Sequence, residues 1–321
     1  MNRADFAGGP AFLTWNGVTF QLAADWKAET EIITKDRSTN LRGRVGAWED
    51  YTITKITARP VVTATNLATL IAKLLPYKPS MIGALIFPDV DLPAVIQNKD
   101  GRGSTFAAAA LTKMPDVNFA SLEDFFEDFE LTCLIENEAD ASTDGSHVVE
   151  ASSAYVEPSF DPLGIIAARY AFAWGAVSPF DAIETDEKGV KLSHNVTFDD
   201  LMTQRDGLIN KRIKEVTASL SFTPVNISSE DFYDLVIPQG ASAGRGKPMG
   251  LRGQEFTATP LGSGANRPQL TVPLAVPSKA PQQFGGGPRV GEVNMLVEQK
   301  SNTGTIADLF TLAATVEEEE P

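Results

Sequence analysis

The sequence predicts a mainly β protein, arranged as two tandem β-sandwich or barrel domains, each with a flanking α-helix. Three observations carry that prediction. Segments in which apolar and polar residues alternate outnumber segments of helical period. One group of elements occurs twice in the same order, about half a chain apart. An aperiodic stretch rich in Ser, Ala and acids separates the two occurrences. At 321 residues the chain is about two average domains long, taking roughly 150 residues for each. The boundaries that follow are 1–140 for the first domain, 141–163 for an acidic, Ser-rich linker and 164–321 for the second domain. The second domain carries long Gly/Pro-rich loops and an acidic tail.

The first copy opens on the aromatic segment Phe12 to Phe20, with Trp15, followed by a polar, charged stretch. Tyr51 to Ala58 is a Thr- and Ile-rich strand that Arg59-Pro60-Val61 breaks. Leu67, Leu70, Ile71 and Leu74 then recur at helical spacing, with Thr65 placed as N-cap and Pro76 as the stop. Leu122, Phe125, Phe126 and Phe129 fit a second helix, capped by Ser121, that runs into the alternating strand Phe129, Leu131, Cys133, Ile135.

The second copy repeats the order. Tyr170 to Phe180, with Trp174, is its aromatic opening, and Val216, Ala218, Leu220 and Phe222 alternate along its strand before Pro224-Val225. Ser228 or Ser229 caps a helix with Glu230 and Asp231 in its first turn, where the helix dipole favours acids. Phe232, Leu235 and Val236 supply its buried stripe and Pro238 ends it. Val293, Met295 and Val297 form the closing strand, and the Gly/Pro-rich stretches Gly240 to Gly264 and Pro277 to Pro288 are loops.

Charge narrows the function. The 27 basic and 42 acidic residues give a net charge of −15, against the clustered Lys and Arg that gripping phosphate backbones requires. The acidity is local. No Lys or Arg lies between Lys113 and Arg169, where thirteen acids fall, and four glutamates, Glu317 to Glu320, end the chain; without these two blocks the remainder carries +2. The single cysteine, Cys133, rules out an intrachain disulfide framework and fits a reducing compartment. The first thirty residues lack the basic and apolar regions of a secretory signal, and the most apolar window, Gly164 to Val177, is short for a membrane span and contains Arg169.

Catalytic and cofactor constellations fail on their own chemistry. Gly240-Ala241-Ser242-Ala243-Gly244 has the form of a nucleophile elbow, but both histidines, His147 and His194, precede the serine, whereas that arrangement places the histidine after it. Gly246-Lys247 is followed by Pro248 and preceded by Ala241 where a phosphate-binding loop needs glycine. One cysteine and two distant histidines cannot complete a tetrahedral zinc site without several carboxylates. Both histidines are read as surface residues. No enzyme centre and no cofactor are expected, and a duplicated domain without a site points to a function carried by surfaces. Two similar interfaces in one chain let three chains close a pseudo-sixfold ring.

The opening Gly9-Pro10-Ala11-Phe12-Leu13-Thr14-Trp15-Asn16-Gly17-Val18-Thr19-Phe20, with the duplicated strand, Pro-Val step and helix, resembles the major tail tube proteins of long-tailed bacteriophages, in their version with two fused tube domains. The resemblance implies a virion structural protein, assembled in the host cytoplasm, whose homotrimeric rings stack into the tail tube through which DNA passes during genome ejection. It implies as partners further copies of the chain, a tape measure protein and tail terminator or distal tail proteins, with DNA in transit and not specifically bound. In that family a long loop or hairpin reaches the adjacent ring. The matching stretches hold Asp36, Arg37, Arg42, Arg44 and Trp48 in the first copy, and Arg205, Asp206, Lys211 and Arg212 in the second. The family's negatively charged lumen implies that Asp116, Glu123, Asp124, Glu127, Asp128 and Glu130 face the bore, where like charge keeps phosphates from sticking.

Two other functions fit the same composition. A distal tail or baseplate ring shares such a sandwich but stops at one layer, and a tandem carbohydrate- or protein-binding module would line a groove with exposed aromatics such as Trp48 and Tyr51.

Overall fold

The structure is a computed structural model that describes residues 11–23, 25–39, 43–63, 66–87, 92–98, 102–106, 108–120, 124–134, 148–152, 169–203, 207–228, 231, 249–261, 268–279, 290–300 and 308–314. It is mainly β. The first half contains β1 (Ala11–Trp15), β2 (Val18–Gln21), β3 (Lys27–Thr39), β4 (Gly43–Ala58), helix α1 (Leu67–Leu74), β5 (Ala94–Asn98), β6 (Arg102–Phe106), β7 (Ala108–Lys113), β8 (Val117–Phe119), β9 (Phe129–Leu134) and β10 (Val148–Ser152). The second half contains β11 (Tyr170–Trp174), β12 (Thr185–Thr203), β13 (Gly207–Pro224), β14 (Gln254–Pro260), β15 (Pro268–Lys279), β16 (Val293–Val297) and β17 (Thr311–Ala314).

Local chemistry accounts for the main turns and stops. Asn16 and Gly17 both take positive φ, 50° and 77°. They close the two-residue turn between β1 and β2 that an Asn-Gly pair favours, because its twist matches that of the flanking strands. The helix α1 buries Leu67, Leu70 and Leu74 and ends before Pro76. Its N-cap is Asn66, whose side chain makes no bond to the helix's own amides but accepts the N–H of Thr63 at 2.8 Å; Thr65, the expected cap, lies outside the described residues. In the second half Ser228 and Asp231 bond reciprocally, Asp231 N–H donating to Ser228 Oγ at 3.2 Å and Ser228 N–H to Asp231 Oδ2 at 3.3 Å. That is the geometry of a capping box. The helix expected beyond Asp231 lies outside the described residues.

Three sheets result. One has the order β10-β6-β5-β1-β2 and another β3-β4-β9-β7. The largest has eight strands, ordered β11-β14-β15-β16-β13-β12-β8, with β17 also paired to β15.

The two halves share their pairings. Ile56 of β4 lies between Ala28 and Leu131, and Leu220 of β13 lies between Leu192 and Met295, each 164 positions on. The long hairpins β3–β4 and β12–β13 agree to their tips, where Thr39 pairs Gly43 and Thr203 pairs Gly207. Both are interrupted at the same two places, between Ile33 and Thr34 or Thr197 and Phe198, and between Arg37 and Ser38 or Leu201 and Met202. The residues skipped are Asp50 and Val45 in one hairpin, Lys214 and Ile209 in the other. Downstream the spacing changes to 166 from β6 to β15: Phe106 pairs Ala94 and Val148 while Val272 pairs Phe256, and Thr105 pairs Val149 while Thr271 pairs Thr311. Trp15 donates its indole N–H to Ala109 O at 3.1 Å, and Trp174 to Ala275 O at 2.9 Å.

The hydrophobic core runs through both halves as one cluster, with Phe20, Ile56, Leu70, Phe129, Trp174, Leu220, Phe256 and Met295 among its members. Burying side chains of this size stabilises by about 1.5–3 kcal/mol each before conformational entropy is charged against it.

Several expectations are corrected. No helix precedes β9 in the described stretch 124–128: Phe126 bridges Val117, Asn118 N–H donates to Phe125 O and Glu127 N–H to Asp116 O, both at 2.9 Å. Once those backbone groups pair laterally they are lost to a helix, and Phe125, Phe126 and Phe129 are buried without it. The linker 141–163 contains β10, which is paired along its length to β6. The Gly/Pro-rich stretch 240–264 contains β14, and β15 extends to Lys279 within the expected loop 277–288. In each case the alternation is too short, or too interrupted by Gly and Pro, to stand out from a loop. His194 is not on the surface: it is 4% exposed, because position 194 falls on the inward face of β12.

Candidate assembly surfaces

The two long hairpins carry most of the residues expected to contact other copies. In the first, Lys35 pairs with Asp50 at 2.8 Å and Arg44 with Asp36 at 2.7 Å. In the second, Lys211 pairs with Asp200, Arg212 with Asp199 at 3.3 Å and Lys214 with Asp199 at 3.5 Å. Asp36 and Asp200 are matching positions. Arg37 and Trp48 lie within β3 and β4, with nothing described of their side chains, and Arg42, Arg205 and Asp206 lie outside the described residues. Exposed pairs of this kind contribute at most about 1 kcal/mol each, so they fix register more than they hold the fold.

The bulges supply residues that sequence reading missed. Val45 and Ile209, skipped at the same place in each ladder, are 51% and 45% exposed. An extra residue in one strand turns its side chain out of the alternation, and the signal for it is an aliphatic residue amid charged neighbours at matching positions near both tips.

The second hairpin is also docked on the first half. The N–H of Ile213 donates to Ala84 O at 2.9 Å, Gly83 N–H to Ile213 O at 2.8 Å and Ile86 N–H to Lys211 O at 3.0 Å. Asn210 clamps Phe87 with its whole amide, Nδ2 donating to Phe87 O at 2.8 Å and Oδ1 accepting Phe87 N–H at 3.2 Å. Leu208 is buried in a small cluster with Ile53, Phe87, Ala110 and Leu134. On the other side of the same hairpin, β8 pairs along β12, Phe119 opposite Val190 and Val117 opposite Leu192. Phe119 meets Tyr170 edge to face at 5.3 Å.

The acidic block is partnered by bases from distant segments. Arg59 donates to Asp124 at 2.9 Å and Asp128 at 3.0 Å, and Lys191 reaches Asp116 at 2.9 Å and Glu127 at 2.7 Å. Burial pushes the Lys191 pKa down, but the hydrogen bonds to Glu127 and Asp116 outweigh it and hold it above its ordinary value. Glu130 Oε1 accepts from Thr112 Oγ1 at 3.0 Å. Glu123 lies outside the described residues. Sequence reading saw a base-free segment; the fold sets two cations against four of its carboxylates.

Cys133 and His194 are enclosed. Cys133 is a free, buried thiol whose pKa desolvation pushes up to about 12. His194 sits edge to face on Phe310 at 4.9 Å, and burial lowers its pKa to about 4. Tyr51, expected as an exposed aromatic, is half-buried against the cluster around Leu208. His147 and the stretches Gly240 to Gly244, Gly246 to Pro248 and Gly285 to Pro288 lie outside the described residues. Among the described residues no group of three or more His, Cys, Asp or Glu side chains converges to hold a metal ion, and no helix is long and apolar enough to cross a membrane.

The fold and its surfaces define a mainly β protein with two long, charge-laced hairpins. No protein-family model matches the sequence, and no curated protein compared with it does.

Proposed function

We propose that the chain is a tandem duplication of one β-sandwich domain and that it acts as a structural subunit, assembling with copies of itself into stacked rings that form the tail tube of a long-tailed bacteriophage. The observation that carries this reading is the recurrence of strand pairing, both hairpin interruptions included, at a spacing of 164 residues. Bulges are conserved within families, so their recurrence at matching places in both hairpins supports a common origin. A duplicated domain whose hairpins project charged and apolar groups is suited to repeated self-contact. The exposed Val45 and Ile209 favour contact over solvation at the tips. Under this reading Asp36, Arg44 and Arg212, whose side chains stay exposed, set the register between copies. The acids Asp116, Asp124, Glu127 and Asp128, only partly offset by Arg59 and Lys191, give the bore a weak negative lining that DNA phosphates do not adhere to.

Negative-stain microscopy of the purified chain across a wide concentration range tests the proposal. Tubes with a regular axial repeat are the expected result. Single-layer rings would move the assignment to a distal tail or baseplate ring, and a monomer at every concentration would overturn it.

A further inference from the structure

His194 is enclosed beneath an element that can leave it. The ring is 4% exposed on the inward face of β12, opposite Ala218 of β13, and among the described residues its Nδ1 has no hydrogen-bond partner. The position 164 residues earlier stands in the same register, Thr30 opposite Thr54. There Thr30 is exposed and its hydroxyl is bonded to that of Thr54 at 3.0 Å. His194 instead lies under a strap. Leu309 is buried and Phe310 meets the imidazole edge to face at 4.9 Å. Asp308 accepts from Lys78 Nζ, just beyond α1, at 2.6 Å, and β17 then pairs with Pro268 to Thr271 of β15.

Of the elements around the ring, the strap is the one held least. β17 is four residues long and among the described residues pairs with β15 alone, and the Lys78–Asp308 pair is half-exposed and adds little. β12 is held by β13 from Val190 to Thr203. Short elements with few buried contacts open at lower free energy than the core. The charged groups on the strap and on the segment after α1 are Asp308 and Lys78, which pair with each other. Tyr77 meets Phe198 of β12 at 5.9 Å and donates its hydroxyl to Leu111 O, and Ala218 on β13 carries no polar side chain. Burial alone sets the preference of His194 for its neutral form.

We propose that protonation of His194 releases the strap 308–314 while the rest of the fold stays closed, a switch from docked to free in mildly acidic solution. A buried imidazolium without an acceptor is costly unless it reaches water, and lifting Phe310 together with β17 gives it that access with the fewest bonds broken. The docked strap is fully stable above pH 6.5 and weakens as pH falls toward 4. With an open-state pKa of 6.5 and a closed-state value of about 4, opening becomes about thirtyfold more frequent between pH 7.5 and pH 5. The switch does not depend on self-assembly.

Hydrogen exchange of the full chain at these two pH values, corrected for intrinsic rates and repeated in low urea, tests it. The amides of β17 are expected to lose about thirtyfold in protection at pH 5, with little urea dependence, while the amides of β13 stay more protected than they at both pH values. His194→Leu should remove the shift, and Asp308→Asn should keep it. The proposal is overturned by β17 exchanging with the protection and urea dependence of β13, which means global opening, or by His194→Leu retaining the shift. Loss of the shift in Asp308→Asn would assign it to the Lys78 pair and overturn it equally.

Discussion

Lys35 and Asp50 pair across the first hairpin at 2.8 Å, and 164 residues later the same two positions are occupied by Asp199 and Lys214, paired at 3.5 Å with the charges exchanged. The sign is reversed at each position, and Asp199 also accepts from Arg212 at 3.3 Å. Both hairpins thus join these two positions by an ion pair, and which strand carries the cation differs between them. That difference is expected of a pair near the surface, where the Coulomb term depends on the product of the charges and solvent takes up most of the remainder.

A double exchange in the first hairpin, Lys35→Asp with Asp50→Lys, is expected to leave stability within about 0.5 kcal/mol of the original. Lys35→Asp alone, which sets two carboxylates together, should cost up to about 1 kcal/mol. Urea denaturation of the four members of the cycle measures both.

The paired indoles give a second expectation. Trp15→Phe and Trp174→Phe each remove a buried donor and leave Ala109 O or Ala275 O without its indole partner. Each should lower stability by about 1–3 kcal/mol. A loss at only one of the two would count against equivalent roles, and denaturant midpoints of the separate variants decide it.

His194 predicts a pH dependence. Its folded pKa of about 4 lies below the ordinary 6.5, so the unfolded chain binds the proton more readily. Stability from this group is complete above pH 6.5 and is lost as pH falls through the interval from 6.5 to 4, by about 3 kcal/mol in all. Thermal melts between pH 7 and pH 4 should show that decline, and His194→Leu, which keeps the packing on Phe310 apolar, should flatten it.

Cys133 is enclosed and its thiol is held in the neutral form. Because the thiolate is the reactive species, an aromatic disulfide reagent at pH 8 should label the native chain at least about a hundredfold more slowly than the denatured chain. Rapid labelling under native conditions would mean that β9 opens far more readily than its pairing with β4 and β7 implies.

Much of the architecture was legible before the structure. Alternation at Val216, Ala218, Leu220 and Phe222 marks a strand with one buried face, and all four are buried. The leucines of α1 and the stop at Pro76 follow from helical period and the missing proline N–H. What failed was decided by partners out of view of local pattern. Phe125, Phe126 and Phe129 have helical spacing, yet the backbone around them bonds to Asp116, Asn118 and Val117. His194 lies among polar neighbours and is nonetheless inward. The acids of 116–128 have no base among them, and the fold brings Arg59 and Lys191 to four of them.

By itself, the sequence determined the β class and the strands with one buried face, because period, turn chemistry and residue type act over a few positions. Tertiary structure alone decided which edges are covered: β8 lies along β12, and among the described residues no strand lies along the outer side of β3. Lys27 and Lys191 stand in matching local settings, but one faces solvent and the other is clamped by two carboxylates. The difference lies in what the rest of the chain brings to each edge: strand pairing and charge pairing depend on distance in space, which only the folded chain sets.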